Sequence, residues 1–390
     1  MVQFGVFDHI EHVPGIPLDE LYRDRLVQLE ALDEAGFYAY HLAEHHTPAV
    51  HSMAPSQNVF LAAVSQRTER LRFGPGVYVL PLHHPLRLIE EISMLDNISG
   101  GRMEIGVGRG GVLEAYFWGQ DSDPETNAAR YDETLEVVKQ GLSHDVLEFH
   151  GRFYDFEEVP MRLRPKQSPH PPLWYMRNPE TAARGGMNCI VVGSLDTLEA
   201  NVMRYRRIWR EEHGDGALTL QGTQPKIGLV VHVVLAANLD VAVERAEPAW
   251  EKYRWNLGTP RRLEAERRKL TQFLAAEGTG GGNRRGPERH LALEERRDLD
   301  ASLEDLTEEE RAARDRRRAV PGPIPGVLVG TPDTVTQFMD EYVTTGADYF
   351  VCSFQFGNLS HEAAMESIEL WRREIMPRYG TTATTAGGSR

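Results

Sequence analysis

Residues 101–111 read G-R-M-E-I-G-V-G-R-G-G. The first half, Met103 to Val107, is a short apolar run that fits a buried strand. The second half sets Gly108, Gly110 and Gly111 around Arg109. Glycine lets the backbone take unusual angles and approach a ligand closely. Main-chain N–H groups in such a turn, with a guanidinium beside them, suit a phosphate. The plain alternative is a tight turn carrying a surface arginine, and a Gly-rich turn by itself does not separate the two. The fold is decided by the recurrence of this pattern, an apolar strand followed by a polar cluster and then a helix.

Toward the N-terminus, Gln3 to Phe7, Tyr38 to Ala43 and Leu71 to Leu80 read as strands, the last with Gly74-Pro75-Gly76 inside it. Helical spacing of apolar residues predicts helices over Leu18–Gly36, Ala54–Arg67 and His84–Ile98. Toward the C-terminus, Leu173–Met176, Cys189–Gly193, Lys226–Ala236 and Asp348–Phe354 read as strands. Helices are expected over Ala128–Gly141, Leu195–His213, Val241–Trp255, Thr331–Thr345 and Ser360–Met376. Strand and helix alternate eight times, the mark of parallel βαβ units. Eight units in one chain fit a closed (β/α)8 TIM barrel, with function at the C-terminal ends of the strands. An open doubly wound sheet is the alternative.

One segment breaks the rhythm. Residues 259–320 are nearly all polar, with 15 Lys and Arg against 14 Asp and Glu around a glycine-rich centre. This charged insertion falls after strand 7, over the expected active face, and reads either as a lid or as a solvated loop without a role. The reading is of one barrel domain, 1–379, that includes the insertion, followed by a disordered tail at 380–390.

The net charge of −15 argues against a nucleic-acid or anionic-membrane partner. Only Cys189 and Cys352 are present, both in apolar runs. They read as packing thiols, and their scarcity suggests a reducing compartment. No zinc-type motif, signal peptide or run of about 20 apolar residues is seen, so the expectation is a cytoplasmic protein without a metal site.

Glu44-His45-His46 follows strand 2. Imidazole titrates near neutral pH and a carboxylate can fix its tautomer, so all three are candidates for acid–base work. Metal binding would need further ligands, and a structural role for both histidines is the plain alternative. Met176-Arg177-Asn178 closes strand 5 and Thr181 lies in the first turn of the next helix, a second possible anion site. A glycine at Gly76, before Val77, suggests a bulge or close approach to a flat ligand. Tyr78, Trp174 and Phe354, near strand ends, could line an apolar pocket or simply belong to the core.

Taken together these stretches resemble the bacterial luciferase family of flavin monooxygenases. The likeness rests on A-E-H-H after strand 2, on G-V-Y-V-L-P-L-H-H-P-L-R-L-I-E-E-I-S-M-L-D-N-I-S-G-G-R leading into the opening stretch, on V-G-T-P-D-T-V near Val329, and on I-M-P-R-Y. The resemblance implies a barrel that binds reduced FMN from a separate flavin reductase. Oxygen then forms a flavin 4a-hydroperoxide that oxidises a small organic substrate such as an aldehyde, ketone or aromatic compound. It matches His45 to the family's catalytic histidine, Arg109 to its phosphate-binding arginine, and Gly76-Val77 to a non-prolyl cis peptide beside the flavin ring. Residues 176–181 match a second phosphate region loosely. Gly108 stands where the luciferase catalytic subunit has a reactive cysteine, which speaks against light emission, and Arg130 is out of register with that subunit's second phosphate arginine. A homodimer is expected from the family alone. Two other readings stay open: a deazaflavin-dependent dehydrogenase or reductase on the same fold, and a non-catalytic partner subunit.

Overall fold

In the computed structural model, which describes residues 1–46, 50–273 and 323–380, the strand-forming runs close a ring. Its strands are β1 (Gln3–Asp8), β2 (Ala39–Leu42), a third strand split into β3 (Arg72–Pro75) and β4 (Tyr78–Val79), and β5 (Ile105–Gly108). A hairpin, β6 (Val146–His150) and β7 (Asp155–Pro160), then stands outside the ring. The ring resumes with β8 (Leu173–Met176), β9 (Asn188–Val191) and β10 (Ile227–Leu235); β11 (Val327–Gly330) lies beside β10 off the ring, and β12 (Tyr349–Ser353) pairs with both β10 and β1. β3 pairs with β2 and β4 with β5, so the split strand completes an all-parallel barrel of eight.

The helices are α1 (Leu18–Ala35), α2 (Gln57–Arg67), α3 (Pro85–Ile98), α4 (Val112–Phe117), α5 (Pro124–Ser143), α6 (Pro179–Arg184), α7 (Leu195–His213), α8 (Leu239–Arg267), α9 (Pro332–Thr344) and α10 (His361–Leu370). Successive strand side chains alternate faces. On β12, Phe350 and Cys352 join the large core between strands and helices, while Tyr349 and Val351 join Trp174 and Ile190 in a second core. Each fully buried large apolar side chain contributes about 1.5–3 kcal/mol. Toward the N-terminal ends of the strands the buried Glu104 carboxylate holds Tyr38, Arg72 and Trp174 together.

Three expectations are corrected. The strand anticipated over Leu71–Leu80 is divided into β3 and β4 around Gly76–Val77, whose peptide bond is cis as the resemblance implies. The helix anticipated to end at Trp255 continues as α8 to Arg267, through Pro248 and Pro260. Residues 259–267 of the charged insertion are therefore barrel-attached helix: Ala265 and Leu270 pack on Leu113 of α4, and Phe273 on Tyr116. The lid reading of residues beyond 273 and the tail beyond 380 lie outside the described residues. The third correction is the β6–β7 hairpin, where no structure was anticipated. Cys189 and Cys352 are buried free thiols, as expected. Among the described residues no helix is long and apolar enough to cross a membrane.

Candidate active site

The C-terminal ends of β1, β2, β8 and β10 bring four residues toward one place. β1 ends in Asp8, whose carboxylate accepts the Ile10 main-chain N–H at 2.9 Å and pairs with the buried Arg25 at 2.6 Å. This holds the chain in a turn at Ile10, with φ 51°, and leaves His9 between the strand and the loop. His9 stacks 5.7 Å from His45, stands 5.6 Å from His51 and 5.8 Å from Tyr253 of α8, and Tyr253 in turn lies 4.4 Å from His232 of β10, all between ring centroids. Burial keeps His9 and His51 neutral, each well below the usual histidine range, with neighbouring positive charge adding to the effect. Burial brings His232 down to about 3. Sequence reasoning passed over His9, although it follows β1 as His45 follows β2.

The three residues after β2 divide their work. Glu44 is fully enclosed and accepts from His46 Nε2 at 2.7 Å, His83 Nε2 at 3.0 Å and the Val79 main-chain N–H at 3.0 Å. Burial would raise its carboxyl; His83 and His46 outweigh burial and bring it down to about 2. Glu44 and His46 thus clamp the β2 loop to β4, and His46 lies against Trp118, 4.5 Å away. His45, half-buried, does not use its sequence neighbour. Its Nδ1 faces Glu114 of α4 at 3.3 Å, and the same carboxylate accepts the His46 main-chain N–H at 3.3 Å. Glu114 lies just beyond the Gly-Arg-Gly-Gly turn; nothing local in the sequence marks it. Its carboxyl stays well below the usual range even though burial opposes this, because Arg261 and then His45 hold it ionised.

Val77, after the cis peptide, packs on Gly108: a Cβ at 108 would meet Val77 Cγ2 at 2.4 Å. That contact gives a physical reason for glycine where the luciferase subunit carries cysteine. Gly110 has φ 68°, and Gly108, Arg109 and Gly110 are half-exposed. Arg109 acts electrostatically on Tyr131 and Asp132 of α5, whereas Arg177, with φ 76°, acts on His9 and Tyr253. The two arginines end neighbouring strands yet serve different surroundings. Met176 lies in the barrel core with Trp174. Asn178 caps α6, its side-chain oxygen accepting from Glu180 N and Thr181 N at 3.1 Å, so these two amides already have an acceptor. Arg130 stacks on Phe153 instead of joining the turn.

The aromatic residues expected at a pocket are closed into the core. Tyr78 donates to Asn58 and is 1% exposed. Trp174 is held by Glu104, and Phe354 packs on Phe37 and Trp371. Tyr78 and Phe354 lie on the helix-facing side of their strands, where period-two alternation puts the outer core.

This arrangement is a known kind of barrel enzyme. Residues 2–349 match the luciferase-like monooxygenase family model. The chain is 34% identical over 383 residues, 97% of each chain, to the uncharacterized protein y4wF of Sinorhizobium fredii. It is 30% identical over 193 residues to the oxygenase component of a flavin-dependent trigonelline monooxygenase of Acinetobacter baylyi, covering 48% of this chain and 53% of that one. Among solved structures, the oxygenating constituent of 3,6-diketocamphane monooxygenase from Pseudomonas putida, in complex with FMN, superposes with a TM-score of 0.67 at 17% identity, over 97% and 98% of the two chains. An F420-dependent secondary alcohol dehydrogenase superposes with a TM-score of 0.63 at 14% identity, over 98% and 99%. The protein belongs to the luciferase-like monooxygenase family and is an oxidoreductase on the (β/α)8 barrel.

Proposed function

We propose that this protein is the oxygenase component of a two-component system, taking reduced FMN from a separate flavin reductase and using O2 to oxidise a small organic substrate. The observation that carries the reading is His45, held on a buried carboxylate at the active end of the barrel, on the β2 loop that Glu44 ties to β4 beside the cis peptide.

The residues fit FMN. The half-exposed turn Gly108-Arg109-Gly110 offers main-chain N–H groups and a guanidinium of the kind that receives a phosphate. Val77 and Gly76 offer a backbone edge to a flat ring, with Gly108 packed tightly behind Val77. Reduced FMN, when bound, supplies the electrons that activate oxygen. The chain's own groups do the rest. Arg109 takes the phosphate end. His9, His51 and His232, all neutral, surround the reacting region without adding charge. His45, with Nδ1 facing Glu114, keeps Nε2 for a proton on the substrate or on the oxygen being transferred. The aromatic wall of Tyr253, Trp250 and Phe356 around His232 keeps water from that side.

Anaerobic titration of the purified protein with reduced FMN and, separately, with oxidised deazaflavin tests the cofactor. Tighter binding of reduced FMN supports this reading. Preference for deazaflavin refutes it and favours hydride transfer.

A further inference from the structure

We propose that Glu114 is the positioning residue of His45, and that Arg261, from the part of α8 that runs into the charged insertion, holds Glu114 in place. The proposal rests on the functional reading above for His45's role, while its geometry stands by itself.

The role normally expected of a carboxylate beside a working histidine is to fix its tautomer. Glu44 cannot do this for His45. Its two oxygens are taken by His46, His83 and the Val79 amide. Glu114 can. It reaches back from α4 to the Gly111 N–H at 3.4 Å, accepts the His46 N–H at 3.3 Å, and stands 3.3 Å from His45 Nδ1. A carboxylate accepts only, so Nδ1 is the donor, and in the neutral ring the lone pair then lies on Nε2. Two main-chain donors fix where the carboxylate sits, and the carboxylate fixes the ring.

A carboxylate that is 3% exposed needs compensating charge. The charged and titratable groups around the pair come from four elements. Arg261 comes from α8. His51 comes from the loop before α2, its ring 4.1 Å from that of His45. His9 comes from the end of β1, and His45 itself follows β2. His9 and His51 are kept neutral by burial, and Arg261 is the cation that acts most strongly on Glu114. Arg261 follows Pro260, and one turn earlier the Asn256 carbonyl accepts His51 Nδ1 at 3.2 Å. Arg261 lies one turn before Ala265, which packs on Leu113 next to Glu114, so α8 meets the site here as well as at Asn256.

The test begins with ¹⁵N-histidine NMR of the wild-type protein, with the His45 signals assigned by loss in His45→Gln. The proposal requires an Nδ1-protonated ring in the neutral form. An Nε2-protonated ring overturns it, whether or not any substrate is ever oxidised. In Glu114→Gln the two main-chain donors can no longer both be served, because they use different carboxylate oxygens, and the His45 signals should move toward a tautomer mixture. With a substrate in hand, kcat should fall about tenfold or more while KM and the affinity for reduced FMN change less than about twofold. Arg261→Gln should move the His45 signals in the same direction. Wild-type His45 signals in folded Glu114→Gln would refute the positioning role, and wild-type signals in Arg261→Gln would refute Arg261's part. Absence of any oxygen-dependent turnover in the wild type refutes the functional reading alone, since the tautomer is read independently.

Discussion

The Nδ1 of His51 donates to the main-chain oxygen of Asn256 at 3.2 Å because residue 260 is proline. In a helix that carbonyl would accept the N–H four residues on, and Pro260 has none. Both His51 and Asn256 are buried, so the carbonyl must find a donor or remain unsatisfied. Meanwhile the Asn256 side chain donates to Glu11 at 2.7 Å. One residue of α8 thereby secures two loops at the active end of the barrel.

His51→Ala is expected to cost about 1–3 kcal/mol from the orphaned carbonyl, beyond the packing it loses. Pro260→Ala returns an N–H to the Asn256 carbonyl, so the His51→Ala cost should shrink in that background. Urea unfolding of the two single variants and the double variant measures the coupling. Strictly additive changes would show that the proline does not govern this bond.

The Glu44 clamp should be visible in acid. Its carboxyl is brought down to about 2 by His83 and His46 against the effect of burial. A depressed acid contributes stability above its unfolded value and loses it as pH falls through the folded one. The window is therefore from about pH 4.5 down to about pH 2, with a ceiling of roughly 3 kcal/mol. Denaturant unfolding across that range should show the loss in the wild type and much less of it in Glu44→Gln. Equal slopes would remove Glu44 from the account of acid stability.

Glu11 works in the opposite sense. Burial raises its carboxyl to about 7, although Asn256 and the Gly357 amide, which donates at 2.7 Å, pull it the other way. A raised acid favours folding while protonated, so this contribution is lost as pH rises from about 4.5 to about 7. Stability should fall over that interval by up to roughly 3 kcal/mol in the wild type. Glu11→Gln, which keeps an acceptor oxygen, should flatten the fall. A wild type whose stability from this group rises with pH would contradict it.

Arg109→Ala should weaken reduced FMN more than reduced riboflavin, because only FMN carries the phosphate. A loss of about 1.5–3 kcal/mol is the scale for a charged hydrogen bond. Anaerobic fluorescence titration with both flavins measures it, and equal loss for the two would take Arg109 out of the phosphate site.

Much of the barrel is legible in the chain because each strand is a short apolar run and each helix repeats its apolar residues at helical spacing. Gly74-Pro75-Gly76 marks an irregularity in the third strand, though not its division in two. The β6–β7 hairpin is hard to read because the residues it packs on the core, Leu147 and Phe149 of β6 and Phe156 and Val159 of β7, are separated by charged ones, so no continuous apolar run marks it. The continuation of α8 was missed because Pro260 reads locally as a stop, whereas packing of Ala265 and Leu270 on Leu113 carries the helix past it. At the site, His45 and Arg109 stand out because they follow strands. His9 follows a strand too, but Glu114, His51 and Arg261 do not, and the four segments around residues 9, 45–51, 114 and 261 meet only once the barrel has closed. For the aromatic residues both readings, pocket and core, stay open in the sequence, because a strand end alone does not say which face a ring takes.

The central claim is that this barrel binds reduced FMN and governs its reaction with oxygen. Rapid mixing of the anaerobic protein–reduced FMN complex with oxygenated buffer, followed by flavin absorbance, tests it most directly. The account predicts that oxidised flavin appears only after a distinct earlier absorbance phase, and more slowly than from free reduced FMN. Oxidised flavin appearing in a single phase at the free-flavin rate would contradict the claim.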